Sequence, residues 1–152
     1  MNGMNPILWQ PSIERRENAN ITRFMKWVSW SYEISVTDYA SLYRWSIENP
    51  ATFWSLLWDF SDIKARRKGN NNLVDGNLMP GAVWFPDARL NYAENLLRQF
   101  NNRHFAIRFR NENGITRRLT YEELYKQVSQ LAQALRNEGV KSGDTVVGVL
   151  PN

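Results

Sequence analysis

At 152 residues, with 43% hydrophobic and 13% aromatic side chains, the chain has the length and apolar content of a folded domain rather than a disordered segment. The absence of cysteine excludes a disulfide scaffold, thiolate catalysis and cysteine-ligated zinc, and a single histidine, His104, cannot build a metal-ligand cluster. The net charge of +4 arises from scattered basic residues without a helix-turn-helix or RNP-like pattern, so no nucleic-acid partner is expected.

The start, "MNGMNPILWQPSIERREN", lacks the basic segment, long apolar core and small-residue cleavage site of a secretory signal. No apolar run approaches the roughly 20 residues of a membrane span, so the expectation is a soluble, cytoplasmic chain with no membrane partner. Helical periodicity then begins. Asn20 is a candidate cap for a helix whose Ile21, Phe24, Met25 and Val28 share one apolar stripe, thickened by Trp27 and Trp30. Asp38 is a cap for a second helix carrying Tyr39, Leu42, Tyr43 and Trp45. "ENP" ends it and starts a third, with Asn49 as cap, Pro50 at the first helical position, and Phe53, Trp54, Leu57 and Trp58 on its stripe.

The polar stretch 64–77, with Lys64, Arg66, Arg67 and Lys68 before "GNNN", reads as a solvated loop. Trp84 in "VWFPDARLN" is loop-like because Pro86 and Asp87 follow it, leaving two readings, a loop anchor or a partner contact. Asn91 precedes Glu94 by three, a variant of the capping box. The helix it starts is expected to carry Tyr92, Leu96 and Phe100 in one row and Ala93 and Leu97 in another.

In "HFAIRFRNENGITRRLTY" two short strands flank the turn "NENG", and alternation puts Arg108, Arg110, Arg117 and Arg118 on a wet face. Thr120 and Glu123 form a full capping box for a long helix whose buried face is Leu124, Val128, Leu131, Ala132 and Leu135. Gly139 ends it, and Val140 folds back on Leu135 as in a Schellman cap. "GDTVVGVLPN" then supplies an apolar strand of the kind covered on both faces, completing a strand, helix, strand crossover that needs further strands.

Motifs of catalysis are missing. The eight glycines form no G-x-G-x-x-G or P-loop pattern, and there is no G-x-S-x-G. Glu122 and Glu123 are adjacent and so point about 100° apart on a helix. The tryptophans at 27, 45, 54 and 58 fall on apolar helical stripes and read as packing rather than ligand stacking. No catalytic, cofactor-binding or metal-binding residue is assigned in this chain.

Four segments in order, "LWQPSIERRENANITRFMKWV", "DYASLYRWSIENPATFWSLLWDF", "WFPDARLNYAENLL" and "LTYEELYKQVSQLAQALRNEGVKSGDTVVGVLPN", resemble the N-terminal region of acetoacetyl-CoA synthetases, within the adenylate-forming superfamily. The last segment is common to the superfamily, whereas "NYAENLL" and "LPN" favour the acetoacetyl branch. The resemblance implies an α/β fold: an N-terminal helical, aromatic-rich region over 1–97, then over 98–152 a hairpin and the first crossover of an incomplete AMP-binding large domain. It further implies a parent ligase of lipid and ketone-body metabolism that joins acetoacetate to CoA through an acyl-adenylate, using ATP and Mg. The chain would then be a piece supplying scaffold, needing the rest of the synthetase to complete its fold. Two alternatives stay open: an acetyl-CoA or other short-chain acyl-CoA synthetase, and a non-catalytic interaction or regulatory module.

Overall fold

The computed structural model describes residues 8–150, which divide between Leu90 and Asn91 into two compact units. Four helices open the first unit: α1 (Ile13–Glu17), α2 (Asn20–Tyr32), α3 (Tyr39–Glu48) and α4 (Pro50–Phe60). Helix α1 starts at Ser12, whose Oγ accepts the Arg15 N–H at 3.2 Å. With five residues it is too short to show an apolar period, and sequence reading missed it.

Helix α2 begins one residue earlier than its expected cap allows. Ala19 is the N-cap, and Asn20 is already helical, its Oδ1 receiving Arg23 Nη1 at 3.5 Å. Phe24 and Val28, one turn apart, are its buried pair, with Met25 and Trp27 packed beside them. Trp30, expected on that stripe, is 79% exposed, because two residues past Val28 the helix has turned about 200°. After α2, Glu33 takes a left-handed φ of 52°, and the Ser29 hydroxyl accepts the Val36 N–H at 3.1 Å. This turn drops Val36 into the core.

Asp38 caps α3 as expected: its carboxylate accepts the Ser41 N–H at 2.7 Å while Ser41 Oγ accepts the Asp38 N–H at 3.2 Å. Pro50 opens α4 at its first turn, also as expected. Asn49 sits at the N-cap position but makes no side-chain bond into α4. Its amide donates backwards to the Trp45 carbonyl at 3.2 Å and so closes α3 instead.

An aromatic junction joins these helices. Phe24 meets Phe53 edge-on at 5.8 Å and Phe60 at 5.1 Å, Trp27 lies 5.4 Å from Phe60, and Trp45 lies 6.3 Å from Phe53. Edge-on pairs at these separations suit the ring quadrupoles and add to the transfer energy of the buried area.

Within 64–77, Lys64, Arg66 and Arg67 are exposed as expected of a solvated loop, whereas Lys68 is tied to α4. Lys68 Nζ donates to Asp59 Oδ1 at 2.7 Å and to the Ser55 carbonyl at 3.1 Å, and lies 6.0 Å from the Trp58 ring centroid. Its partners are on another element, which local composition does not reveal. The strands β1 (Leu73–Val74) and β2 (Val83–Trp84) pair antiparallel, and Arg67 bridges Arg89. Gly69 makes this approach feasible: its φ is +83°, and a Cβ there would sit 2.3 Å from the Asp87 Cβ. Trp84 meets Trp54 edge-on at 5.9 Å, which is the anchor role.

In the second unit Asn91 caps α5 (Tyr92–Leu96), accepting the Ala93 and Glu94 N–H groups at 2.9 and 3.4 Å. The helix stops before Phe100, shorter than expected, and Phe100 instead lies 5.1 Å from Tyr125. Strands β3 (Phe105–Arg110) and β4 (Thr116–Thr120) form the expected hairpin, whose turn ends at Gly114 with φ +77°. Helix α6 (Tyr121–Asn137) follows with both predicted ends. The Val140 N–H reaches the Leu135 carbonyl and the Gly139 N–H the Arg136 carbonyl, each at 3.0 Å, the paired bonds of a Schellman cap.

The architecture is therefore mixed helix with two antiparallel strand pairs, helical and aromatic first, then hairpin and long helix. The apolar segment 145–150, expected to be the crossover's second strand, forms no strand among the described residues, which offer it no ladder partner. Replacing Phe24 by Ala is expected to cost about 3–5 kcal/mol, since the ring is buried and touches two others. Denaturant unfolding followed by far-UV circular dichroism measures this. A loss under about 1 kcal/mol would mean that the junction closes over the gap.

Candidate functional site

Burial separates the two units. Among the described residues the buried hydrophobic side chains are Phe24, Val28, Val36 and Leu42, all in the first. In the second, the stripe of α6 expected to be buried is only half covered: Leu124, Ala132 and Leu135 are intermediate, while Val128 is at the edge of exposure and Leu131 is 62% exposed. A two-stranded hairpin is too narrow to cover a five-turn helix. Val146, Val147, Val149 and Leu150 are exposed as well. The second unit thus presents uncovered apolar groups on hairpin, helix and terminal segment, the mark of a docking surface.

Register fixes the two faces of the hairpin. Ile107 opposes Leu119 and Phe109 opposes Arg117, whereas Arg108 opposes Arg118 and Arg110 opposes Thr116. Directly opposed residues share a face, so Arg117 lies with Ile107, Phe109 and Leu119, not on the wet face expected for all four arginines. A register shift between Phe105 and Ile107 breaks the alternation. It brings the Phe105 ring to the other arginines: the guanidinium carbons of Arg108 and Arg118 lie 5.1 and 5.2 Å from its centroid. Nothing in the strict alternation of "FAIRFR" signals this.

Recesses accompany these surfaces in both units. An open cleft of about 810 Å³ at the start of α6 is lined by Phe100, Arg103, Thr120, Glu122, Glu123 and Tyr125. Its two carboxylates do different things. Glu123 Oε2 accepts the Thr120 N–H and hydroxyl, each at 2.8 Å, while its own N–H donates to Thr120 Oγ1 at 3.2 Å. Glu122 lies 3.7 Å from Arg103 Nε in an exposed pair. The Thr120 backbone N–H, and then its hydroxyl, hold the Glu123 carboxyl below the ordinary carboxylate value. That is a helix-capping carboxylate, not one member of an acid and base pair.

A recess of about 350 Å³ in the first unit is lined by Trp54, Trp84 and Phe85. Phe85 has a φ of 45°, rare for a bulky side chain. Its N–H donates to the Asn72 carbonyl at 3.1 Å and its ring lies 4.9 Å from Trp58, which hold it there. With no polar group converging on it, the recess is loop packing rather than a reaction site.

The described residues assemble no cradle for Mg or a nucleoside triphosphate. No group of three His, Cys, Asp or Glu among the described residues could hold a metal ion. Gly69, Gly114, Gly139 and Gly143 take positive φ at separate turns and caps instead of forming one phosphate loop. No helix among the described residues is long and apolar enough to cross a membrane.

Comparison with known proteins gives consistent matches. Residues 39–96 match the family described as acetyl-coenzyme A synthetase N-terminus, and residues 94–152 match AMP-binding enzyme. The chain is 39% identical to an acetoacetyl-coenzyme A synthetase of Rhizobium meliloti (strain 1021) over 145 residues, 95% of this chain and 22% of that protein. It is 38% identical to the acetoacetyl-CoA synthetase of Macaca fascicularis over 149 residues, 96% of this chain and 22% of that one. Among solved structures, acetoacetyl-CoA synthetase from Streptomyces lividans superposes with a TM-score of 0.79 at 37% identity, covering 92% of this chain and 22% of that one. The chain therefore spans about a fifth of the length of the relatives it matches.

The Glu123 geometry yields a pH dependence. A carboxyl whose folded pKa is depressed contributes stability that is full above its unfolded pKa and lost as pH falls through the folded one. Glu123→Gln keeps the shape of the box without the charge. The native chain should be more thermostable than this variant at about pH 7, with the gap closing toward about pH 2 as the carboxyl protonates. Melting of the helical circular dichroism signal at both pH values checks it, and a gap independent of pH would refute the assignment.

Proposed function

We propose, for a chain homologous over nearly its whole length to the N-terminal part of acetoacetyl-CoA synthetases, that it serves as the N-terminal scaffold of an acetoacetate–CoA ligase. The whole reaction in this reading is ATP, acetoacetate and CoA going to acetoacetyl-CoA, AMP and pyrophosphate through an acyl-adenylate. ATP, Mg and CoA are ligands of the complete enzyme. Mg neutralises charge on the transferring phosphates when it is bound.

The observation that carries the proposal is the contrast between the two units. Helices α2 to α4 bury their own core, whereas β3, β4, α6 and the segment 145–150 leave their apolar groups uncovered. A face of that kind is what a larger domain would build upon. In this reading residues 1–97 form the N-terminal helical region and 98–152 begin the AMP-binding domain, whose later strands would pair with 145–150. The choice of acetoacetate rests on the full-length relatives. The model matching 39–96 is named for acetyl-CoA synthetase, so acetate activation is the second reading.

A chimera tests the scaffold role. The 152-residue chain replaces the corresponding first fifth of the Streptomyces lividans enzyme, and acetoacetate-dependent ATP–pyrophosphate exchange is measured beside the chain alone. The chimera should be soluble and exchange within about tenfold of the parent, and the chain alone should not exceed the blank, because losing even one oxyanion donor already costs about 10²–10³. An insoluble chimera, or exchange by the chain alone, would contradict the proposal.

A further inference from the structure

We infer that the Arg108 face of the β3–β4 hairpin is a binding site for a small anion bearing two linked phosphates. It goes beyond the ligase reading and does not depend on it.

The starting point is a like-charge conflict. Arg108 and Arg118 are directly opposed across the ladder, an arrangement that destabilises a strand pair unless something offsets it. Neither guanidinium has a carboxylate within ion-pair distance among the described residues, where the ion pairs are Lys64–Asp62, Lys68–Asp59 and Arg103–Glu122. The offset present is aromatic: both guanidiniums sit about 5 Å from one ring, Phe105. That ring is there only because the register shifts between Phe105 and Ile107. The fold thus uses a bulge to hold two unneutralised arginines around one platform.

Three neighbours extend the patch. Arg110 lies two residues along on the same face, with Thr116 opposite it offering a hydroxyl donor. A recess of about 410 Å³ lined by Arg103, His104, Phe105 and Arg108 opens beside the pair. Guanidinium forks match phosphate oxygens bidentately, and two forks around a common ring suit two linked phosphates better than a single point charge. Inorganic pyrophosphate and a nucleoside diphosphate share the required chemistry, and the part of Phe105 that the guanidiniums leave exposed is apolar area for a base to add.

The test is calorimetric titration of the full chain with inorganic pyrophosphate and with uridine diphosphate at matched ionic strength. Arg108→Gln, Arg118→Gln, their Lys counterparts and the distant Lys26→Gln are titrated alongside. Saturable binding is expected, weakened at least about tenfold by either Gln change, less by the Lys changes, and unaltered by Lys26→Gln. Either Gln variant should also melt no lower than the native chain without ligand, since it relieves the opposed charges, so a failure to fold will not be mistaken for a failure to bind. Equal affinity for the two ligands assigns recognition to the phosphates, and tighter uridine diphosphate binding adds the Phe105 platform. No saturable binding at matched ionic strength, or binding indifferent to both arginines, overturns the proposal.

Discussion

The contact of α2 with α4 through Phe24, Phe53 and Phe60 is the interaction on which the first unit depends. Val28, the fully buried side chain one turn along, joins Phe24, Val36 and Leu42 from α3 as the four buried hydrophobic groups among the described residues. Burying a side chain of this size is worth roughly 1.5–3 kcal/mol, and each aromatic pair roughly 0.5–1.5 kcal/mol more. With so few buried groups, the rings do most of the joining. Trp58 and Trp54 on the far side of α4 then receive Phe85 and Trp84, so the loop region is held by the same helix that builds the core.

The second unit is put together differently. Its order comes from short-range devices: the Asn91 cap, the bond of Ile115 N–H to Asn111 Oδ1 at 2.8 Å in the hairpin turn, the Thr120–Glu123 box and the Schellman turn at Gly139. Each is worth about a kcal/mol or less, and none leaves a hydrophobic side chain fully buried. Such devices specify where elements start and stop without making them stable alone. Under the proposed scaffold role the ends are set locally, and the energy would come from whatever covers Leu131, Phe109, Val146, Val147 and Val149.

The same distinction decides what could be read in advance. Caps at Asp38, Asn91 and Thr120, Pro50 at a helix start and Gly139 at a helix end depend on residues within six of one another, and all five stand as expected. What escaped depended on distant partners. Lys68 looked solvated because Asp59 and Ser55 reach it only when the chain doubles back, and β1 is two residues long with no pattern of its own. Arg117 could not share a strand face with its neighbour Arg118, and the register shift that turns Phe105 toward Arg108 and Arg118 has no signature in the alternation. As for the site, no residue of chemistry was assigned from sequence, and the capping bonds of Glu123 give a physical reason against one tempting pair.

Hydrogen exchange, resolved by peptide along the full chain, tests the central claim most directly. If the aromatic junction is the stabilising core and the second unit is organised only locally, amides of α2 and α4 should be protected to the level of global unfolding. Those of α6 and the β3–β4 hairpin should exchange through opening at much lower free energy. Protection of α6 equal to that of α2 would contradict the account, for it would mean that a helix without one buried residue is as stable as one packed on Phe53 and Phe60.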